Sequence, residues 1–172
     1  MRQELRVAGL SEPISHYTDA VRFGNLLFIS GVAPFDAAGR LVGAGDPAAQ
    51  TRQIFENMKK VLEAAGCGFE DVLKVTVYLT DVDDRTRINP VRQEYFGTAR
   101  PASTLIGVAQ LAVPGMKVEV EAVDPGRPVE GSAERIGFDR AVEPFDLHRA
   151  ARRPHFRPSE SPSSLPDRPA KL

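Results

Sequence analysis

The amino-acid sequence predicts one α/β domain, with elements in the order β-β-α-β-α-β-β, in residues 1–123, followed by a tail, 124–172, that does not fold. Three patterns carry this prediction: paired apolar runs around Gly24-Asn25, a helical face that opens at Asp46-Pro47, and strict alternation from Leu73 to Thr80.

The segment Val21 to Ile29 reads as two strands joined at Gly24-Asn25, a pair suited to the positive φ of a tight hairpin turn. Asp46 then offers an N-cap oxygen, and Pro47 stands at the first helical position, where its missing N–H costs nothing. Ile54, Met58, Val61, Leu62 and Ala65 fall on one helical face and Gly66 can close the helix, so the spacing predicts a helix over about 47–65. From Leu73 to Thr80, Val75, Val77 and Leu79 alternate with Lys74, Thr76, Tyr78 and Thr80, the period of a half-buried strand. Residues 83–96 have helical composition, but Asn89-Pro90 interrupts them. Proline disfavours an α conformation in the residue before it, so the helix proper is expected to begin at Pro90. Strands near 104–111 and 117–123 flank Val113-Pro114-Gly115, whose residues suit a turn.

Composition narrows the function classes. The 172 residues include 22 Lys and Arg against 23 Asp and Glu, a net charge of -1, which gives no basic face for a nucleic acid. One cysteine, Cys67, allows neither an intrachain disulfide nor a thiolate-rich metal cluster, and fits a cytoplasmic protein. The charged start Met1-Arg2-Gln3-Glu4-Leu5-Arg6 has no apolar run behind it, and no stretch approaches the ~20 apolar residues of a bilayer span, so neither export nor membrane insertion is expected. Eight of the 14 prolines lie from Pro125 onward among Arg, Ser, Glu and Asp, a composition that cannot bury enough surface to offset chain ordering. Val123-Asp124-Pro125-Gly126 supplies the boundary.

Several kinds of site find little support. His16 is the one histidine before the tail, which argues against a metal site or a serine–histidine nucleophile. Cys67 follows the helix-ending Gly66 and has nothing to activate it. Gly43, Gly45 and Asp46 precede a helix but match neither a P-loop nor a dinucleotide fingerprint. The last strand says more: Lys117, Glu119 and Glu121 share one face, Val118, Val120 and Ala122 the other. The acidic face either meets solvent or lines a cleft, where a carboxylate could activate a water.

Ordered words run along this layout: Ser15 to Val21; Leu27 to Gly31 with Pro34; Gln50 to Gln53; Asn57 to Gly66; Val72 to Leu79; Asn89; Tyr95 to Gly97; Arg100 to Thr104; Val118 to Ala122. Over residues 10–123 the chain resembles the RidA/YjgF family. That resemblance implies a chorismate-mutase-like α/β subunit: a mixed sheet with two helices packed on one face, assembled as a homotrimer with small-molecule clefts between subunits. It also implies cofactor-free hydrolysis of 2-imino or enamine acids to 2-keto acids and ammonia. Carried over residue by residue, it assigns Glu119 the positioning of the attacking water and Tyr17, Ser30, Gly31, Asn89 and Ser103 the contacts to ligand.

One departure stands out. The family's enzymes grip the substrate carboxylate with an arginine, third in a Pro-Ala-Arg-Ser word. Here the word is Pro101-Ala102-Ser103-Thr104. A serine replaces neither the fork nor the charge of a bidentate arginine, so activity on 2-imino acids is expected to be weak or absent. Arg100, three residues away, points to the other face if the segment is extended, and could take over the role only if residues 98–102 form a loop. Two readings follow: a hydrolase of an imine, enamine or related small electrophile, and a non-catalytic trimer that binds a metabolite or a partner in the same cleft. A nucleic-acid-acting or chaperone reading ranks last for want of a basic patch.

Overall fold

In the computed structural model, residues 1–126 are described, so the expectation for most of 124–172 lies outside them. Six strands form one sheet in the order β1-β2-β3-β6-β4-β5: β1 (Arg2–Leu5), β2 (Ala20–Phe23), β3 (Leu26–Val32), β4 (Lys74–Leu79), β5 (Ala102–Gly107) and β6 (Val118–Asp124). All neighbours are antiparallel except β4 and β5, so the sheet is mixed. No helix among the described residues is long and apolar enough to cross a membrane.

The hairpin forms as its turn chemistry requires. Phe23 pairs with Leu26 across Gly24 and Asn25, and Gly24 takes φ +60°. Helix α1 (Pro47–Ala64) is capped by Asp46, whose carboxylate accepts from Ala48 N at 3.1 Å. Gly66 follows it at φ +76°, the left-handed stop that only glycine takes without strain. Ile54, Phe55, Met58, Val61 and Leu62 bury against the sheet. Helix α2 (Arg85–Phe96) packs beside α1, and an aromatic cluster locks the layer: Phe55 meets Phe69 edge-on at 5.6 Å and Phe96 at 5.6 Å, and Phe69 meets Phe96 at 5.1 Å.

Three boundaries depart from the sequence-based expectation. α2 begins at Arg85, not at Pro90, because a 3-10 turn over Val82–Asp84, capped by the Asp81 carboxylate, feeds straight into it. Ile88 and Val91 bury on either side of an exposed Pro90, so packing outweighs the one ladder bond proline forgoes. β5 covers Ala102–Gly107 where a strand over 104–111 was expected. β1 was not foreseen at all: Arg-Gln-Glu-Leu is a polar edge strand with no apolar alternation to mark it.

Strand alternation sorts the sheet into two faces. Ala20, Ile29, Ala122 and Val75 line up across the strands and bury beneath the helices, as do Val120 and Val77, with Val32 beside them partly buried. The opposite face carries Phe28, Val123, Thr76, Glu121, Tyr78, Glu119 and Ile106, and no described element packs over it. β6 reaches one residue past the expected end of the domain, since Asp124 pairs with Leu27 and is fully buried.

Candidate functional site

Helix α1 builds the frame of the site with two buried amides. The Gln50 side chain donates to the carbonyls of Gly43 (3.1 Å) and Gly115 (2.8 Å), and its oxygen accepts from the backbone N–H groups of Lys117 (2.6 Å) and Val118 (3.3 Å). It is fully buried, and every polar atom it carries is used. This fixes the entry into β6 and, two residues on, Glu119. Asn57 donates to the carbonyls of Ala33 (3.2 Å) and Phe35 (2.8 Å), which holds the chain just beyond Gly31.

Gly31 sits in the irregular stretch between Ile29 and Val32, where β3 shifts register against β6. The Glu119 carboxylate lies directly on it: a Cβ on residue 31 would stand 2.0 Å from Oε1 and 3.0 Å from Cδ. Glycine here provides room, not a special φ. Glu119 itself faces the uncovered side of the sheet opposite Tyr78. Partial burial, and then the charge of Glu121, push its pKa above the usual glutamate value. It takes no ion pair and no hydrogen bond from the described residues. Burial, then Glu121 and Glu119, also raise the Tyr78 phenol, which keeps it a neutral donor beside the two carboxylates.

A cleft of about 50 Å³, room for one or two waters, opens next to Gly31 and is lined in part by Tyr17, Asp19, Ser30 and Asn57. The loop that carries Tyr17 is tied down on both sides. Asp19 accepts from Arg6 at 2.7 Å and from Val7 N at 2.8 Å, and the Ser30 hydroxyl donates to Thr18 O at 2.6 Å. Ser30 therefore spends its proton on the loop and positions Tyr17, whose ring is left exposed.

The other sequence-predicted residues lie elsewhere. Ser103 pairs with Val75 on the helix-covered side of the edge strand β5, whereas Glu119 faces the other side of β6. With β4 between them, the two strands stand about 10 Å apart. Asn89 is exposed on α2. Within one chain Tyr17, Ser30 and Gly31 line one cleft, Glu119 lies outside that lining and meets it only at Gly31, and Asn89 and Ser103 stand apart around α2 and β5. Beside this last pair lies a residue that sequence reasoning missed. Arg92 of α2 donates from Nη2 to Ser103 Oγ at 2.9 Å. Because α2 begins at Arg85, Arg92 shares a helix face with Asn89 at the i+3 spacing, but no pattern in the sequence shows that this face meets Ser103. Gln50 and Asn57 stood inside the recognised words without a role.

Comparison with known proteins follows the same outline. The family model described as Endoribonuclease L-PSP matches residues 9–124. The chain is 41% identical over 123 residues to the RutC family protein PH0854 of Pyrococcus horikoshii, which covers 72% of this chain and 97% of that one. It is 33% identical over 123 residues to the human 2-iminobutanoate/2-iminopropanoate deaminase, covering 72% and 89%. The crystal structure of the Escherichia coli YjgF gene product superposes with a TM-score of 0.65 at 30% identity, covering 71% of this chain and 97% of that one. The chain belongs to the RidA/YjgF family, whose matching family model bears the description Endoribonuclease L-PSP.

Proposed function

We propose that this protein is a deaminase-type hydrolase of small reactive imines or enamines, acting in clefts between the subunits of a homotrimer, with Glu119 holding the attacking water. The observation that carries the reading is the state of Glu119: half-buried, raised in pKa, pressed on Gly31 and bonded to no group of the described chain. A carboxylate whose pKa has moved toward working pH is a better general base, and one without internal partners is free to bind water. Water adds to the C=N carbon as Glu119 takes its proton. That proton passes to nitrogen to give the carbinolamine; the hydroxyl proton then moves to the amine as the C–N bond breaks, so that ammonia leaves and the C=O of the product forms. An enamine enters by the same route after it takes a proton at carbon.

The intersubunit placement explains the separation of Asn89 and Ser103 from the rest. Ser103 and Asn89 of one copy reach Tyr17, Gly31 and Glu119 of the next, since neither set alone encloses a ligand.

The test is turnover of freshly generated imines and enamines, with and without a carboxylate. Glu119→Gln keeps the shape and removes the base, and is expected to lower kcat by about a hundredfold or more with the oligomer intact. Unchanged activity in this variant removes Glu119 from the mechanism. Absence of turnover on every imine and enamine tried favours the non-catalytic binding protein that Ser103 suggests.

A further inference from the structure

Most arginines of the described chain are neutralised within it. Arg2 pairs with Glu4, Arg6 with Asp19 and Glu12, Arg40 with Asp36, Arg52 with Glu94, and Arg87 with Asp46 and Asp84. Arg85 and Arg100 take no such pair but are exposed, so water solvates them, and the buried Arg22 donates to the Ala65 carbonyl at 2.9 Å. Arg92 fits none of these cases. It is half-buried on α2, it meets no carboxylate among the described residues, and its one hydrogen-bond partner is the neutral Ser103 hydroxyl at 2.9 Å. Burial lowers its pKa, yet a guanidinium stays charged at any pH a protein tolerates. A partly desolvated cation without a counter-charge is destabilising on its own, and an arriving anion offsets that cost.

The local chemistry suits a carboxylate. Ser103 Oγ already accepts from Arg92, so the hydroxyl proton is free to donate outward. The remaining guanidinium N–H groups offer a second, charged donor. Asn89 stands one turn back on the same face of α2 and adds amide donors. Ser103 lies on an edge strand, where a second molecule can approach.

We propose that Arg92, assisted by Ser103 and Asn89, is the anchor for a carboxylate on the ligand, in place of the strand arginine that this chain lacks. This rests on the deaminase reading for the identity of the reacting group. Serine at 103 then marks a move of carboxylate recognition from strand β5 to helix α2, and the weak activity on 2-imino acids expected from the serine alone does not follow.

The experiment is calorimetric binding of 2-oxobutanoate, the product of 2-iminobutanoate hydrolysis, and of its neutral amide, to the full chain. Wild-type protein is expected to bind the acid more tightly than the amide. Arg92→Ala should weaken the acid by about tenfold to a hundredfold and leave the amide unchanged. Adding Ser103→Arg to Arg92→Ala should restore the acid, because the fork returns from the neighbouring strand. A merely structural role for Arg92 predicts equal loss of both ligands and no rescue, and that result overturns the proposal. So does a wild-type protein that binds the acid no better than the amide, or an Arg92→Ala variant that binds as wild type. The two readings fail separately. Turnover that needs Glu119 but ignores Arg92 leaves the hydrolase standing and removes this anchor; charge-selective binding without turnover does the reverse.

Discussion

The two faces of β6 share one backbone and differ in how their polar atoms are satisfied. Under the helices, Val118, Val120 and Ala122 are buried; Gln50, which enters with them from α1, has every donor and acceptor used, and Asp124 at the end of the strand accepts from Gly126 N through Oδ1 while its Oδ2 has no partner. On the uncovered face, Glu119 is half-buried and the described chain gives it neither a hydrogen bond nor an ion pair. Buried polar groups are normally saturated, so the first pattern is structural and the second marks an atom kept available. Arg92 repeats the second pattern at the far edge of the sheet, where a charged group is held by one neutral bond.

The largest effect expected from this contrast falls on stability. Gln50→Leu keeps the volume but strips partners from two carbonyls and two N–H groups, one of them buried. Loss of about 3 kcal/mol is expected in urea denaturation, the size for leaving such groups unmet. A change within about 0.5 kcal/mol, the range of ordinary surface substitutions, would mean that water takes over and that the amide is not structural.

Next comes a change that should leave the fold and damage the site. In Gly31→Ala the added methyl meets the end of a flexible side chain, Glu119 Oε1 at 2.0 Å, so the carboxylate swings aside while the strand survives. Misplacing a catalytic group by about 1 Å can cost a hundredfold, and kcat should fall on that scale with the melting temperature nearly unchanged. Full activity would show that the resting position of Glu119 is not the working one.

Much of the fold was legible because periodicity records burial directly: Val75, Val77 and Leu79, and Ile54, Met58 and Val61, each announce one covered face. β1 left no such trace because its side chains meet solvent, and the start of α2 was misplaced because Pro90 is tolerated on an exposed side. The site was legible by resemblance at single positions and illegible as a set. Strand alternation places Glu119 on a face, but the separation of Ser103 from it depends on the sheet order β6-β4-β5, a long-range fact. Arg92 escaped because nothing in a helix's own pattern tells which strand residue it will meet.

The smallest effect expected is also the one that ties the site to the fold. The folded-state pKa of Glu119 lies above its ordinary value of 4.5, so folding favours the protonated form. The contribution of this group to stability is full below the unfolded value and is lost as pH rises through the folded one. At neutral pH the ionised carboxylate therefore destabilises the protein slightly, since burial and Glu121 both oppose its charge. Glu119→Gln, neutral at every pH, should melt at a higher temperature than wild type at pH 7, while its kcat falls. The gap should shrink as the pH is lowered toward 4.5, where the wild-type side chain is protonated as well. A gap independent of pH would trace the stabilisation to packing of the amide. A wild type more stable than the variant at pH 7 would mean that Glu119 gains a cationic partner in the assembled protein, and Arg92 of a neighbouring copy would be the first to test.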